Sequence, residues 1–503
     1  MRRYSLWLTL TLTLLASWFQ SNAQAEASLT SPIIPVTQLK DVERTDWAFS
    51  ALQQLQQRYQ CIQGYPDQTF RGTQTMTRYE FAALLHRCLS QLQANTRSQE
   101  QSIIQRLQTE FARELAILRG KVDAVTARVR ELELTQFSPT TKLDGVVNFV
   151  PTTSSQAGED SGVVLQARSR LNFNTSFTGR DLLLTRLTGG NSVTPKLANG
   201  TPELTQTHQW RGNTDNELIL SKLSYRFPIG ESAIARVTPK GGHHADYNMP
   251  AVNPFFEDTN AGTTTLSTFA QRNPILSLGG GTGIALSYQM SDSLVLGAGY
   301  YTLDASNAET GLFNGSYSTG IRLKWEASQN LSFGLNYLHS DFEQGEFGFN
   351  DGLTEDSSAI VGTAVLNNTL DQFPTVTNAY GVEVFWQANS NLGFGGRLGY
   401  TDIKALNHGD GEAWNYSISV VFPDLGQANN LGGIIFGAQP YLGSLDGNFE
   451  FNNDIPWHLE GFYQWQVSDQ VSITPGLIWH LNPNQDQTEA DIITATMRMT
   501  LTF

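Results

Sequence analysis

The sequence predicts an all-β transmembrane barrel of about 16 antiparallel strands, with a small helical module and a coiled-coil helix ahead of it. Three observations carry this. From Ala495 the chain alternates, with Ala495, Met497, Met499, Leu501 and Phe503 on one face and Thr494, Thr496, Arg498, Thr500 and Thr502 on the other, the period of a strand with one apolar face. Many upstream segments repeat the pattern, most with aromatics on the apolar side and Ser, Gly, Asn or Arg opposite. A soluble sandwich would turn the apolar face to a core, but an apolar outside around a polar inside describes a membrane barrel. Finally, the connections between these segments alternate between short and long.

Composition agrees. Of 503 residues, 40% are hydrophobic, 44 are Gly and two are Cys. No internal run approaches the roughly 20 apolar residues of a membrane helix, whereas barrel strands alternate and score as polar on average. A formal charge of −15 argues against nucleic acid as a partner. No cofactor is called for.

Residues 1–25 read as a secretory signal peptide: Arg2 and Arg3, an apolar stretch from Leu6 to Phe19, and Ala23-Gln24-Ala25 as a cleavage site. Export implies an oxidising compartment. Residues 26–38 form a flexible lead and 39–92 a helical module. Asp41 can cap a first helix carrying Trp47, Ala48, Leu52 and Leu55. Thr77 can cap a second, with Glu80 closing a capping box. Cys61 and Cys88 both fall in this module and are disulfide candidates; two buried thiols are the alternative. Residues 93–137 read as one helix, about 60 Å long at 1.5 Å per residue. In it Phe111, Leu115, Leu118, Val122, Val125, Val129 and Leu132 make a heptad seam.

Pro139 stops the helix, and the barrel domain occupies 138–503. Strands are expected at 142–150, 163–177, 182–190, 217–227, 232–240, 281–290, 294–303, 317–327, 331–340, 376–388, 392–402, 413–422, 430–441, 456–467, 471–480 and 492–503. The long connections are 151–162, 191–216, 241–280, 304–316, 341–375, 403–412, 443–455 and 481–491. An even strand number puts both barrel ends on one side, expected to be the periplasmic one.

Alternation places Arg168, Arg170, Lys222, Arg226, Arg322, Lys324, Arg397 and Arg498 on the inner wall, opposed by Glu326, Glu383 and Glu460. On 217–227 the outward side is Ile219, Leu223, Tyr225 and Phe227. A basic wall in an acidic protein concentrates anions. The longest loop, Gly241–Gly280, offers His243, Asp246, Glu257, Asp258 and Arg272 as constriction candidates; otherwise it covers the mouth or meets a neighbouring subunit. Adjacent His243 and His244 without a fixed scaffold make a poor metal site. An enzyme would need an inward Ser–His–acid set. His339, His408 and His480 are assigned to lipid-facing or loop positions, and no Ser is placed beside His458.

Leu39-Lys40-Asp41-Val42, Trp47-Ala48, Gly64-Tyr65-Pro66-Asp67, Thr69-Phe70 and Thr77-Arg78-Tyr79-Glu80-Phe81 together resemble a surface-layer homology (SLH) module. The family has Ala in place of Tyr79 and often Gly in place of Gln68. The resemblance implies binding of peptidoglycan-linked polysaccharide through Gly64, Tyr65, Asp67 and Arg78. The terminal Phe503 resembles the recognition signal of bacterial outer-membrane proteins. Signal, SLH module, coiled coil and barrel in this order resemble the cyanobacterial outer-membrane porins. These are grouped with the carbohydrate-selective OprB-type family and often labelled iron-uptake porins. That implies a homotrimer in outer-membrane lipid passing small ions and solutes. The competing expectation is a structural tether between outer membrane and peptidoglycan, with a nearly closed barrel.

Overall fold

The structure is a computed structural model. It describes residues 140–503 except 158, 161, 259–261, 353–358 and 448, together with 36–41, 45, 49, 53, 68–70 and 109. The chain divides into two units, 1–136 and 137–503. Gly64, Tyr65, Asp67, Arg78, Cys61, Cys88 and the heptad seam lie outside the described residues.

In the first unit a 3-10 turn spans Val36–Gln38. The Lys40 amide donates to the Gln68 carbonyl (2.8 Å), and the Phe70 amide donates to the Asp41 carboxylate (2.6 Å). These bonds tie Lys40 and Asp41 to Gln68 and Phe70. Gln68 has φ of 65°, the left-handed region that Gly enters at least cost, which accounts for the family's frequent Gly at this position.

The second unit is a closed antiparallel barrel. Its strands are β1 Thr141–Gln156, β2 Val164–Thr175, β3 Leu182–Gly190, β4 Ile219–Ile229, β5 Ala233–Gly242, β6 Gly281–Ser291, β7 Leu294–Thr302 and β8 Tyr317–Ser328. They continue as β9 Leu331–Phe342, β10 Thr375–Asn389, β11 Leu392–Ala405, β12 Gly409–Pro423, β13 Leu431–Leu445, β14 Trp457–Ser468, β15 Val471–Leu481 and β16 Ile492–Thr502. Each strand pairs with the next, and β16 closes on β1 from Val146↔Thr502 to Gln156↔Ile492. A two-residue strand, Glu159–Asp160, adds to the end of β1. All sixteen expected strands form, most within three residues of the expected bounds. The expected loop 403–412 is largely strand: β11 and β12 pair out to Ala405↔Gly409, leaving a three-residue turn.

The outer face is apolar all round: Leu165 is 66% exposed, Ile418 66%, Leu477 57% and Met497 50%. Such a belt is stable only in lipid. On the final strand Thr494, Arg498 and Thr500 are buried inward as the alternation predicts.

Alternation breaks in β4. Arg186 pairs with Lys222 but Leu187 pairs with Leu220, so Ser221 is an extra residue, a β-bulge. Upstream of it the faces swap: Leu220 is exposed, and Ile219, expected outside, lines a cavity among the loops. A second correction concerns the inside. The inward positions of β9 to β15 include Leu338, Phe342, Ala379, Phe385, Ile403, Ala413, Val421, Ile435, Leu442, Phe462 and Ile478, all buried in one apolar cluster with loop residues. At these positions the strands are apolar on both faces.

Candidate functional site

Three long loops fold into the barrel: L2 (191–218), L3 (243–280) and L5 (343–374). L3 corresponds to the loop Gly241–Gly280 of the sequence reading. Its short helix Thr268–Gln271 is capped by Ser267, whose side chain accepts from the Ala270 amide. The turn Pro274–Ser277 is started by Asn273 in the same way. Pro at the first helical position fixes that turn. Between them these turns bury Phe269, Ile275, Leu276 and Leu278 against the apolar inner wall.

Polar contacts also hold the loops. The Arg168 guanidinium donates to the carbonyls of Thr207 (2.8 Å) and Trp210 (3.2 Å) and to Asn148 Oδ1 (3.1 Å). Arg170 donates to the Trp210 carbonyl (2.7 Å), and Arg498 to Thr207 Oγ1 (3.0 Å) and the Thr265 carbonyl (2.8 Å). Arg322 donates to Asn336 (2.9 Å) and Arg397 to the Ala270 carbonyl (3.1 Å). Lys222 is paired with Asp246, and Lys324 with Glu326 (2.8 Å). Arg226 lies opposite Arg236 in the ladder. Several of these cations are covered: Arg168, Arg170 and Arg498 are 1%, 1% and 0% exposed. Their guanidiniums, each with five donors, satisfy loop carbonyls that would otherwise be buried unpaired.

The L3 candidates take different parts. His243 packs edge-on against Trp210, with ring centroids 5.5 Å apart, and its Nε2 is 3.5 Å from Asp246. Glu257 accepts from the Val252 amide (3.0 Å) and Asp258 from the Thr263 amide (2.8 Å). Arg272 pairs with buried Asp351 of L5. Arg170, Arg211 and Arg272 lie 4.8, 5.7 and 5.4 Å from the centre of the Trp210 ring, a cation–π cluster that joins β2, L2 and L3. Sequence reading missed Trp210, Arg211 and Asp351. For Trp210 and Arg211 the signal was the donor-rich run Gln206-Thr207-His208-Gln209-Trp210-Arg211; Asp351 had none.

Two histidine assignments are corrected. His480 faces inward, 1% exposed, stacked edge-on against His458 with centroids 4.9 Å apart. Ser267 does lie beside His458, with Oγ 3.5 Å from Nε2; alternation could not reveal this, because Ser267 comes from L3. The serine hydroxyl donates to Glu460, which also accepts the Leu266 (2.9 Å) and Ser267 (3.1 Å) amides. The carboxylate thus serves as an anchor for L3.

At the long-loop end, L2 meets the last loop (482–491). The buried Glu203 carboxylate accepts from Thr201 Oγ1 and the Asn484 amide, both at 2.7 Å. Burial pushes it up to about 7, since desolvation disfavours the charged form. In the turn between β2 and β3, Asp181 accepts from Thr178, Ser176, Phe177 and Tyr225. Those hydrogen bonds, Thr178 first, hold it well below the usual carboxylate range.

Residues 99–503 match the family model described as carbohydrate-selective porin, OprB family, and residues 38–82 match the S-layer homology domain. A Nostoc sp. protein is 38% identical over 506 aligned residues, covering 95% of this chain and 87% of its own. The outer membrane protein SlpA of Deinococcus radiodurans is 36% identical over 121 residues, 23% of this chain and 10% of its own. The solved structure of Pseudomonas putida OprB is 12% identical, covers 74% of this chain and 96% of its own, and has a TM-score of 0.49. With a closed sixteen-stranded barrel, a lipid-compatible outer face and a profile match over most of its length, the chain belongs to the OprB family of outer-membrane porins and carries an S-layer homology domain.

Proposed function

We propose that this porin passes small ions and small polar solutes by passive diffusion, with a preference for anions. We further propose that its SLH domain holds peptidoglycan-linked polysaccharide on the periplasmic side. The observation that carries the selectivity is the excess of inward cations. Arg168, Arg170, Arg186, Lys222, Arg226, Arg236, Arg322, Lys324, Arg397 and Arg498 face Asp144, Glu326, Glu383 and Glu460 on the described wall. Such a field raises local anion concentration. Sugar passage, which the family description names, is less well served. Carbohydrate platforms need open ring faces, and Trp210 and Phe269 are 4% and 1% exposed.

The test is single-channel conductance of the full-length protein with reversal potentials in a KCl gradient. Arg226 and Arg236, both half-buried, are changed together to Glu. A chloride preference that is lost in the double variant is expected. An open channel with unchanged selectivity overturns the basic-wall reading. The second reading, a tether with a nearly closed barrel, is favoured by the burial of Arg168 and Arg498 under the in-folded loops. Absence of current in the wild type would select it.

We also propose a homotrimer. Near the long-loop end the outer face of β7 to β15 carries Tyr300, Tyr317, Tyr380, Tyr400, Trp414, Tyr441, Trp457 and Trp479, an interfacial girdle. From β16 to β4 the same level carries Ala495, Thr153, Ser155, Ala167, Leu165, Gly189 and Leu218. That sector, without Tyr or Trp, suits a second copy better than lipid headgroups, and the heptad seam offers a means of association. A monomeric mass in mild detergent by light scattering would overturn it.

A further inference from the structure

A cavity of about 900 Å³ opens among the loops, lined by L2, L5 and the ends of β4 to β7. Its charged lining is Lys196, Arg211 and Lys240 against Asp304 and Asp371. We infer that this cavity binds a small inorganic oxyanion, with Arg211 as its recognition residue. This rests on the reading of the protein as an anion-preferring channel.

Arg211 is held in place by features that a solvent loop would not need. Its backbone has φ of 52°, a left-handed conformation that is uncommon outside Gly, Asn and Asp. Its guanidinium donates from Nη1 to the Ser221 carbonyl and from Nη2 to the Asp351 carbonyl (3.4 Å), and stacks on Trp210. Ser221 is the bulged residue of β4. Gly241 has φ of 76°, and a Cβ there would lie 2.6 Å from Arg211 Nη1 and closer still to the Ser221 carbonyl. The bulge, the glycine and the strained backbone converge on one half-buried guanidinium at the cavity wall.

Below Arg211 the cluster continues with Arg170 and Arg272 around Trp210, balanced by Asp351. Lys196 and Lys240 are exposed at the rim. Of the opposing carboxylates, Asp371 is held above its ordinary range, first by burial. A planar guanidinium suits an oxyanion better than a halide, because two parallel N–H groups match two oxygens.

The test uses inorganic phosphate as a blocker of chloride current through the full-length protein in planar bilayers. Phosphate is expected to reduce wild-type current, and Arg211→Gln to raise the half-blocking concentration about tenfold. Arg211→Lys should fall between, keeping the charge without the fork. Gly241→Ala should reproduce the loss by displacing the guanidinium while leaving its charge. Arg180→Gln, in the exposed turn after β2, should block like the wild type. Heat-modified mobility on gels checks folding of each variant. Phosphate without effect on the wild type, or equal block of wild type and Arg211→Gln, overturns the site and leaves the channel standing. No current in the wild type overturns both.

Discussion

The two sides of the barrel interior hold the same loops by different physics. From β9 to β15 the wall is mainly apolar, with Arg397 and Glu460 as polar anchors for L3, and Phe269, Ile275, Leu276, Leu366 and Leu370 pack on it. From β16 through β5, and on β8, it is built of guanidiniums and amides, and loop carbonyls are its partners. Apolar packing is non-directional and needs only volume and shape. Guanidinium–carbonyl contacts are directional, and a missing partner leaves a desolvated group. The apolar side therefore supplies adhesion and the polar side supplies placement. Charge remains on the polar side, so a solute path is expected there.

The comparison predicts separable defects. Phe269→Ala removes a fully buried ring that also contacts His458. It should destabilise the barrel by about 4 kcal/mol, read from the urea midpoint of tryptophan fluorescence in detergent, with chloride selectivity unchanged. Arg498→Met deletes bonds to Thr207, Thr264 and Thr265 and should cost roughly 3 kcal/mol through unpaired carbonyls. It should also release L3 locally and raise single-channel conductance. Equal conductance in the two variants would mean that adhesion and placement are not divided between the two sides.

Glu203 sharpens the division at the mouth, where it ties L2 to the last loop. Its folded carboxyl, raised to about 7, holds a proton that the unfolded chain, near 4.5, has already lost. Its contribution to stability is thus fully present below pH 4.5, is lost as pH rises toward 7, and is flat above. The loss is on the order of 3 kcal/mol. Glu203→Gln should abolish this slope in urea titrations between pH 4.5 and 7. A slope that persists would place its source elsewhere.

Strand existence, order and lipid face were legible because a period of two is enforced on every strand by lipid outside, whatever lies inside. The inner face carried less information. Leu338 and Phe385 read as exceptions to a polar lumen until L3 and L5 are seen against them. Ser221 could not be read as a bulge, because its extra residue is defined by partners on β3. Ser267 and Arg211 reach the wall from loops, and loop positions have no periodicity to betray them. The basic wall was readable as a charge pattern, while the burial of Arg168 and Arg498 depends on chain segments distant in sequence.

The smallest expected effect lies at the seam, where neither side of the interior takes part. β16 closes on β1 through a reciprocal pair: the Gly145 amide donates to the Phe503 carbonyl (2.9 Å) and the Phe503 amide to the Gly145 carbonyl (3.1 Å). The Phe503 ring lies over Gly145, and a Cβ there would come within 2.8 Å of Cε1 and nearer to the ring tip. An aromatic covering a strand glycine recovers packing that glycine alone lacks. Gly145→Ala should push the ring away at a cost of about 1 kcal/mol, because a terminal ring 55% exposed has room to turn. Stability should therefore change little, while the rate at which the refolding barrel acquires heat-modified gel mobility should fall, since this pair is the last rung of closure. Phe503→Leu keeps the backbone pair and loses the ring. If it refolds at the wild-type rate while Gly145→Ala is slow, the glycine matters for its own backbone and not as a seat for the ring.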